Sequence, residues 1–237
     1  MSRIDFMPEK NASEAMWLKE RLEPLWGRGD GCNYVASIIP RGYQSYAKIF
    51  HPAYLGNENR EITWRELAQY FNRQPHSQMQ WHKIVGDDLR YFQMKIIESA
   101  VGHLPRKKAE ALIEVLSKYT KTPDDCLFGI WTGWGGIDAE KRWPEAAAFQ
   151  IPEREYILLR GPIQAAASTV LPDYEQSASL WWPRDRAWCV ATEIDMMWTF
   201  VGSSTHCIEE LLEVGCLEVY HTNSDDRVDI NADMINT

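Results

Sequence analysis

Hydrophobic and polar positions recur along this chain in two rhythms, one close to every fourth residue and one every second residue. The first rhythm opens in "SEAMWLKERLEPLW", where Ala15, Leu18, Leu22 and Leu25 repeat at helical spacing and Pro24 ends the regular turns. It returns in "ITWRELAQYF", which carries a Thr63/Glu66 capping-box pattern and sets Trp64, Leu67, Ala68 and Phe71 on one face. From Asp87 a third stretch aligns Leu89, Phe92 and Ile96. After Gly102 and Pro105, "RKKAEALIEVLSKYT" gathers Ala109, Leu112, Ile113 and Leu116 on one stripe and turns its charges outward. The last helix is "SSTHCIEELLEVG", capped by Ser203 or Ser204 and closed by Gly215.

The period-two segments predict strands. "NYVASII" and "YQSYAKIF" read as a hairpin turning at Pro40, Arg41 and Gly42. "CLFGIW", "YILLRG" and "AWCVATEI" are short apolar runs bounded by turn residues, as expected of central strands in a shared sheet, and "LEVYH" adds a last strand. This order does not alternate strand and helix regularly. It predicts an α+β fold with a mixed or antiparallel central sheet flanked by several amphipathic helices. The expected organisation is one domain over residues 1–237, with a possible division into two lobes near 104–105.

"SLWWPRDRAWCVATEID", residues 179–195, concentrates the candidate chemistry. As a ribbon, it places Trp188, Val190, Thr192 and Ile194 on one face and Cys189, Ala191, Glu193 and Asp195 on the other. The two acids then stand roughly 6.6 Å apart along the strand, within the range of about 5 to 9.5 Å that glycoside hydrolysis uses. His206, in the first turn of the next helix, would complete such a site. The alternative is structural: Glu193 and Asp195 ion-pair with Arg184 or Arg186, or accept backbone N–H bonds at the strand end. Trp181 and Trp182 precede Pro183 and favour extended backbone, either as a ligand platform or as a lid over the sheet. With Trp131, Trp134 and Trp143 they form an aromatic concentration. Trp131, Trp134, Trp181, Trp182, Arg184, Asp185 and Arg186 are thus the candidate ligand- or partner-binding residues. Buried indoles need partners for their N–H groups, which neighbouring carboxylates and carbonyls would supply.

Composition narrows the functional classes. The net charge of −9 is unevenly placed: residues 173–237 hold 13 acids against Arg184, Arg186 and Arg227, a balance of −10, which leaves about +1 for the rest. Such a C-terminal part repels phosphate backbones, so no nucleic acid is expected and a basic protein partner is the better match. Five scattered cysteines, four of them inside apolar runs, fit reduced thiols and a cytoplasmic location. No apolar run reaches membrane-spanning length, so no membrane association is expected.

Cofactor motifs are missing. "GRGDGCN" lacks the Lys-Ser or Lys-Thr of a phosphate loop, and "TGWGG" runs into a charged, proline-broken stretch instead of an apolar helix. No Gly-x-Ser-x-Gly elbow occurs. The six histidines and five cysteines share no ligand spacing on one element, so no metal is expected. Asp229, Asn231 and Asp233 copy the start of a calcium loop, but Met234 stands where glycine is required.

Four blocks, "YAKIFHPA", "TPDDCLFGIWTGWG", "PEREYILLRGP" and "LWWPRDRAWCVATEID" followed by "TFVGSS", resemble a family of uncharacterised bacterial proteins from actinobacteria and bacilli. The resemblance implies a bacterial cytosolic protein of one recurring architecture and carries no catalytic residue with it. In composition, acidic and small with a tryptophan-rich sheet, the chain is also similar to bacterial immunity proteins that neutralise toxins. The leading expectation is a non-enzymatic binding protein, immunity-like or regulatory, whose acidic C-terminal part and aromatic residues engage a basic partner. The alternatives are a hydrolase, on glycans for instance, using Glu193, Asp195 and His206, and a subunit whose aromatic patch is a homo-oligomer interface.

Overall fold

The computed structural model describes residues 6–56, 60–86, 89–171 and 175–236. Among these, the strands are β1 (Met7–Pro8), β2 (Ser45–Phe50), β3 (Ala53–Leu55), β4 (Arg60–Ile62), β5 (Ile96–Ile97), β6 (Cys126–Trp131), β7 (Ala148–Ile151), β8 (Arg154–Gly161), β9 (Leu180–Pro183), β10 (Cys189–Ala191), β11 (Trp198–Ser203) and β12 (Glu218–Thr222). The α-helices are α1 (Met16–Arg21), α2 (Trp64–Tyr70), α3 (Trp81–Val85), α4 (Leu89–Met94), α5 (Arg106–Leu116), α6 (Ala139–Arg142) and α7 (Thr205–Leu212). Nine strands form one sheet in the order β1-β8-β6-β9-β10-β11-β2-β12, with β7 also on β8 and every neighbouring pair antiparallel. A small sheet, β4-β3-β5, stands apart. The fold is α+β with an antiparallel sheet, and that sheet takes strands from both sides of residues 104–105.

The period-two pattern gives the large sheet two apolar faces. Tyr46, Phe50, Trp182, Cys189, Ala191, Trp198 and Phe200 join one core, with Trp17 and Leu18 from α1, Trp64 and Leu67 from α2 and Ile84 from α3. Ala47, Ile49, Trp181, Trp188, Val190 and Val201 join the other, covered by Ala109 and Leu112 of α5 and Cys207, Ile208 and Leu211 of α7. The alternation expected for residues 188–191 is therefore present, one residue to each side in turn.

The same alternation removes Trp181 and Trp182 from the candidate platform. They lie on β9, a central strand paired with β6 on one side and β10 on the other, and point into opposite cores at 1% and 0% exposure. Neither reaches a ligand or partner. Nor do carboxylates satisfy the buried indoles in general: Trp64 donates to the His51 carbonyl and the Ser99 hydroxyl, and Trp188 to the Leu116 carbonyl. The indole N–H groups of Trp17, Trp81, Trp134, Trp182 and Trp198 have no partner among the described residues.

Other elements depart from the sequence reading. "NYVASII" is not a strand: Val35–Ser37 forms a short 3-10 turn, and Val35 and Ala36 donate their N–H groups to Asp226 and Ser224. The expected hairpin fails because both sides of β2 are taken by β11 and β12, which come later in the chain. The first helix begins as a 3-10 turn over Ala12–Ala15 and ends at Arg21. Asp87 and the side chains of Leu89 and Phe92 lie outside the described residues, and Ile96 belongs to β5, not to the helix. The Thr63/Glu66 capping box and the Ser204 cap of α7 are both formed.

Two buried titratable groups knit the core with opposite pH signatures. His51, 0% exposed, donates from Nδ1 to the Ala100 carbonyl at 2.7 Å, while Nε2 accepts from the Thr199 hydroxyl at 2.9 Å. Burial pushes this imidazole down to about 4. Its stabilisation is complete above the unfolded value near 6.5 and is lost as pH falls toward 4. Glu218 of β12 accepts the first N–H groups of α2, from Trp64 at 2.6 Å and Arg65 at 2.7 Å. Burial outweighs those bonds and raises its carboxyl to about 7, so folding loses stability as pH rises from 4.5 to 7. Relative to wild type, Glu218→Gln should gain about 3 kcal/mol between those limits, measured by urea unfolding at each pH. A pH-independent difference would contradict the assignment.

Candidate functional site

β10 ends at Ala191, so the ribbon expected over residues 186–195 is shorter than its sequence pattern suggests. Arg186 takes a left-handed conformation with φ 55°, and residues 193–196 form a turn closed by Met196 N–H on the Glu193 carbonyl at 3.1 Å. Glu193 and Asp195 therefore sit on a turn, with the Asp195 N–H donating to the Glu193 carboxylate at 2.6 Å. Their shared cation is Arg154, at 2.7 Å from Glu193 and 3.1 Å from Asp195, not Arg184 or Arg186. Arg154 opens β8 and lies 39 residues from Glu193, a separation that no local sequence pattern reports. Glu193 is nearly buried, whereas 78% of the Asp195 side chain is exposed.

The half-buried tryptophans of the candidate set adjoin this turn. Trp131 closes β6 with its ring folded over Gly133, the Arg154 guanidinium 5.7 Å from the ring centre, and Trp134 edge-on at 5.1 Å. Trp134 and the Ile194 carbonyl both press on Gly102, where a Cβ would lie 2.7 Å and 2.3 Å from them. Gly102 has φ +65° and donates its N–H to the Met196 carbonyl at 2.9 Å. Only glycine meets all of these demands. Gly102→Ala is expected to cost about 3 kcal/mol through strain and overpacking; an unchanged thermal unfolding midpoint would contradict this contact.

The remaining sequence candidates lie apart from this turn. Arg184 pairs with Glu9, Glu14 and Asp125 at 3.0 to 3.2 Å. Asp185 accepts from Thr120, from Lys121 N–H and from Ala187 N–H. The Arg186 guanidinium stands 5.3 Å from the Trp17 ring. His206 is exposed beside Glu209 and Tyr119, just after the last residue of β11, whereas Glu193 and Asp195 precede its first. Six strand residues put them on the order of 20 Å apart, so the three proposed catalytic groups do not meet.

The carboxylate pair also lacks room for a sugar. The crevice beside Glu193, lined by Arg154, Tyr156 and Ser179, measures about 40 Å³, whereas small-molecule sites take up about 300 to 1,000 Å³. A cleft of about 720 Å³ opens instead between α5, the 3-10 turn Ile163–Ala167, residues 168–169 and residues 175–177. Its floor is Leu104, Ile113, Ala166 and Ala167; its rim carries Glu110, Glu114 and Glu175 against Arg106, a formal balance of −2 with histidine neutral. Arg106 is paired with Glu110 at 2.9 Å. At the inner end, His103 Nδ1 accepts the Ser177 N–H at 3.1 Å, its Nε2 stands 3.6 Å from Glu175, and burial holds the imidazole below its ordinary value.

Gly102 links cleft and turn. Gln176 from the cleft donates to the Gly102 carbonyl at 2.8 Å, while Gly102 N–H holds the turn. Glu110 and Glu114 belong to the outward-turned charges of α5 but were not singled out by its sequence; Glu175 and Arg154 carried no signal of their own.

Part of the C-terminal acidity is paired with basic residues from elsewhere, Asp225 with Arg28 and Arg41 and Glu210 with Lys118. Asp229 pairs locally with Arg227, and Asp233 lies 2.9 Å from His76 Nε2. The calcium-like tail residues Asp229 and Asp233 are engaged by their neighbours with side chains 7% and 0% exposed, so they are buried and do not form an open surface turn. The cysteines are all unpaired; burial raises Cys126 to about 12 and Cys207 to about 11, which makes them poor nucleophiles. Among the described residues no helix is long and apolar enough to cross a membrane, and no group of three or more His, Cys, Asp or Glu is arranged to hold a metal ion. Comparison with protein-family models, curated proteins and solved structures returned no match to this chain.

Proposed function

We propose that this chain is a non-enzymatic binding protein that seats a basic segment of a partner protein in the cleft beside α5, with the 193–195 turn as an outer contact. The observation that carries this reading is the acidic rim over an apolar floor in the cleft, tied by hydrogen bonds through buried Gly102 to the turn flanked by half-buried indoles. An arginine or lysine stem covers the floor while its charge meets Glu110, Glu114 or Glu175. The Trp131 and Trp134 rings offer cation–π faces next to the exposed Asp195 carboxylate. Unpaired cysteines suit a reducing compartment and support a cytoplasmic location.

The test is calorimetric titration of the intact protein with a short peptide of alternating arginine and leucine, against a glutamate and leucine counterpart. The arginine peptide is expected to bind and to weaken as salt rises, with no heat from the counterpart. Equal binding of both peptides, or none by the arginine peptide at low salt, would overturn the proposal.

A further inference from the structure

We propose that Lys48 is a covalent attachment site for a small aldehyde, independent of the cleft. Lys48 lies in the middle of β2 on the face that also presents Tyr46 and Phe50, and it is 2% exposed. Its Nζ stands 3.7 Å from the centre of the Trp198 ring and 4.4 Å from that of Phe50. No hydrogen bond or ion pair joins it to a described residue, and Asp226 and Asp233 act on it only from a distance. Its strand neighbours are Phe200 on β11 and Tyr220 on β12.

A cation so placed has lost its hydration without gaining a carboxylate, and aromatic faces return only part of that loss. Burial accordingly drives Lys48 well below the ordinary lysine value, toward the free amine. An uncharged amine is a nucleophile at neutral pH, as exposed lysines are not. Its nitrogen lone pair attacks the carbonyl carbon, protons pass from nitrogen to oxygen, and water leaves as the C=N bond forms. No oxidant or reductant is consumed. Tyr220, half-buried on the edge strand, stands directly opposite Lys48, and the proposed entry is past its ring, which admits only a small aldehyde.

The experiment treats the intact protein with acetaldehyde and cyanoborohydride, which fixes the imine as an ethylamine, and locates ethyl groups by peptide mass spectrometry. At pH 7 Lys48 is expected to react at least about tenfold faster than the exposed Lys10 and Lys118, because an ordinary lysine is almost wholly protonated there. That advantage should narrow as pH rises toward about 10.5, where an ordinary lysine is half uncharged. Tyr220→Ala should speed the Lys48 reaction, and Lys48→Met should abolish this label while retaining the fold. A Lys48 rate at pH 7 equal to or below those of Lys10 and Lys118, in wild type and in folded Tyr220→Ala alike, would overturn the proposal.

Discussion

Trp182→Ala is expected to cost about 4 kcal/mol of folding stability, the scale of a large aromatic truncation in a closed core. The side chain is fully buried on a central strand, and its ring meets Trp17 of α1 edge-on at 5.9 Å, so its loss leaves a cavity between sheet and helix. Trp182→Phe should cost far less, because the indole N–H has no partner among the described residues and only volume is lost. Urea unfolding measures both. An alanine variant within about 1 kcal/mol of wild type would mean that the residue faces solvent.

The second large effect concerns binding. Replacing Glu110, Glu114 and Glu175 together by arginine turns the cleft balance from −2 to +4. Affinity for the arginine–leucine peptide should fall by roughly 100-fold, most of it at low salt, since each rim charge changes from attraction to repulsion. All three side chains stand at the surface, so thermal unfolding should move little. Calorimetry on this variant separates the cleft from the 193–195 turn, whose carboxylates remain in place. Undiminished affinity would remove the cleft from the proposed function.

What the chain disclosed of itself depended on the range of each interaction. β6, β8, β12, α5 and α7 were legible because period, caps and bounding turns are local. So were the faces of Trp188, Cys189, Val190 and Ala191. Tyr34–Ile39 misled because its apolar residues are satisfied by the distant 224–226 segment. Trp181 and Trp182 misled because the proline after them says nothing about the strands on either side. Charge misled most: thirteen acids in the last 65 residues suggested one acidic face, yet Arg28, Arg41, Lys118 and Arg154 arrive from far away to pair with several of them. The rim of the cleft carries three acids, two of them, Glu110 and Glu114, contributed by α5.

These two surfaces make one site only if a single occupant protects both. Amide hydrogen exchange with and without the arginine–leucine peptide tests this most directly. Slowed exchange is expected at residues 102–104, 175–177 and 193–196 together, with β12 unchanged. Protection confined to β12 and the C-terminal tail, with none around Gly102, would contradict it.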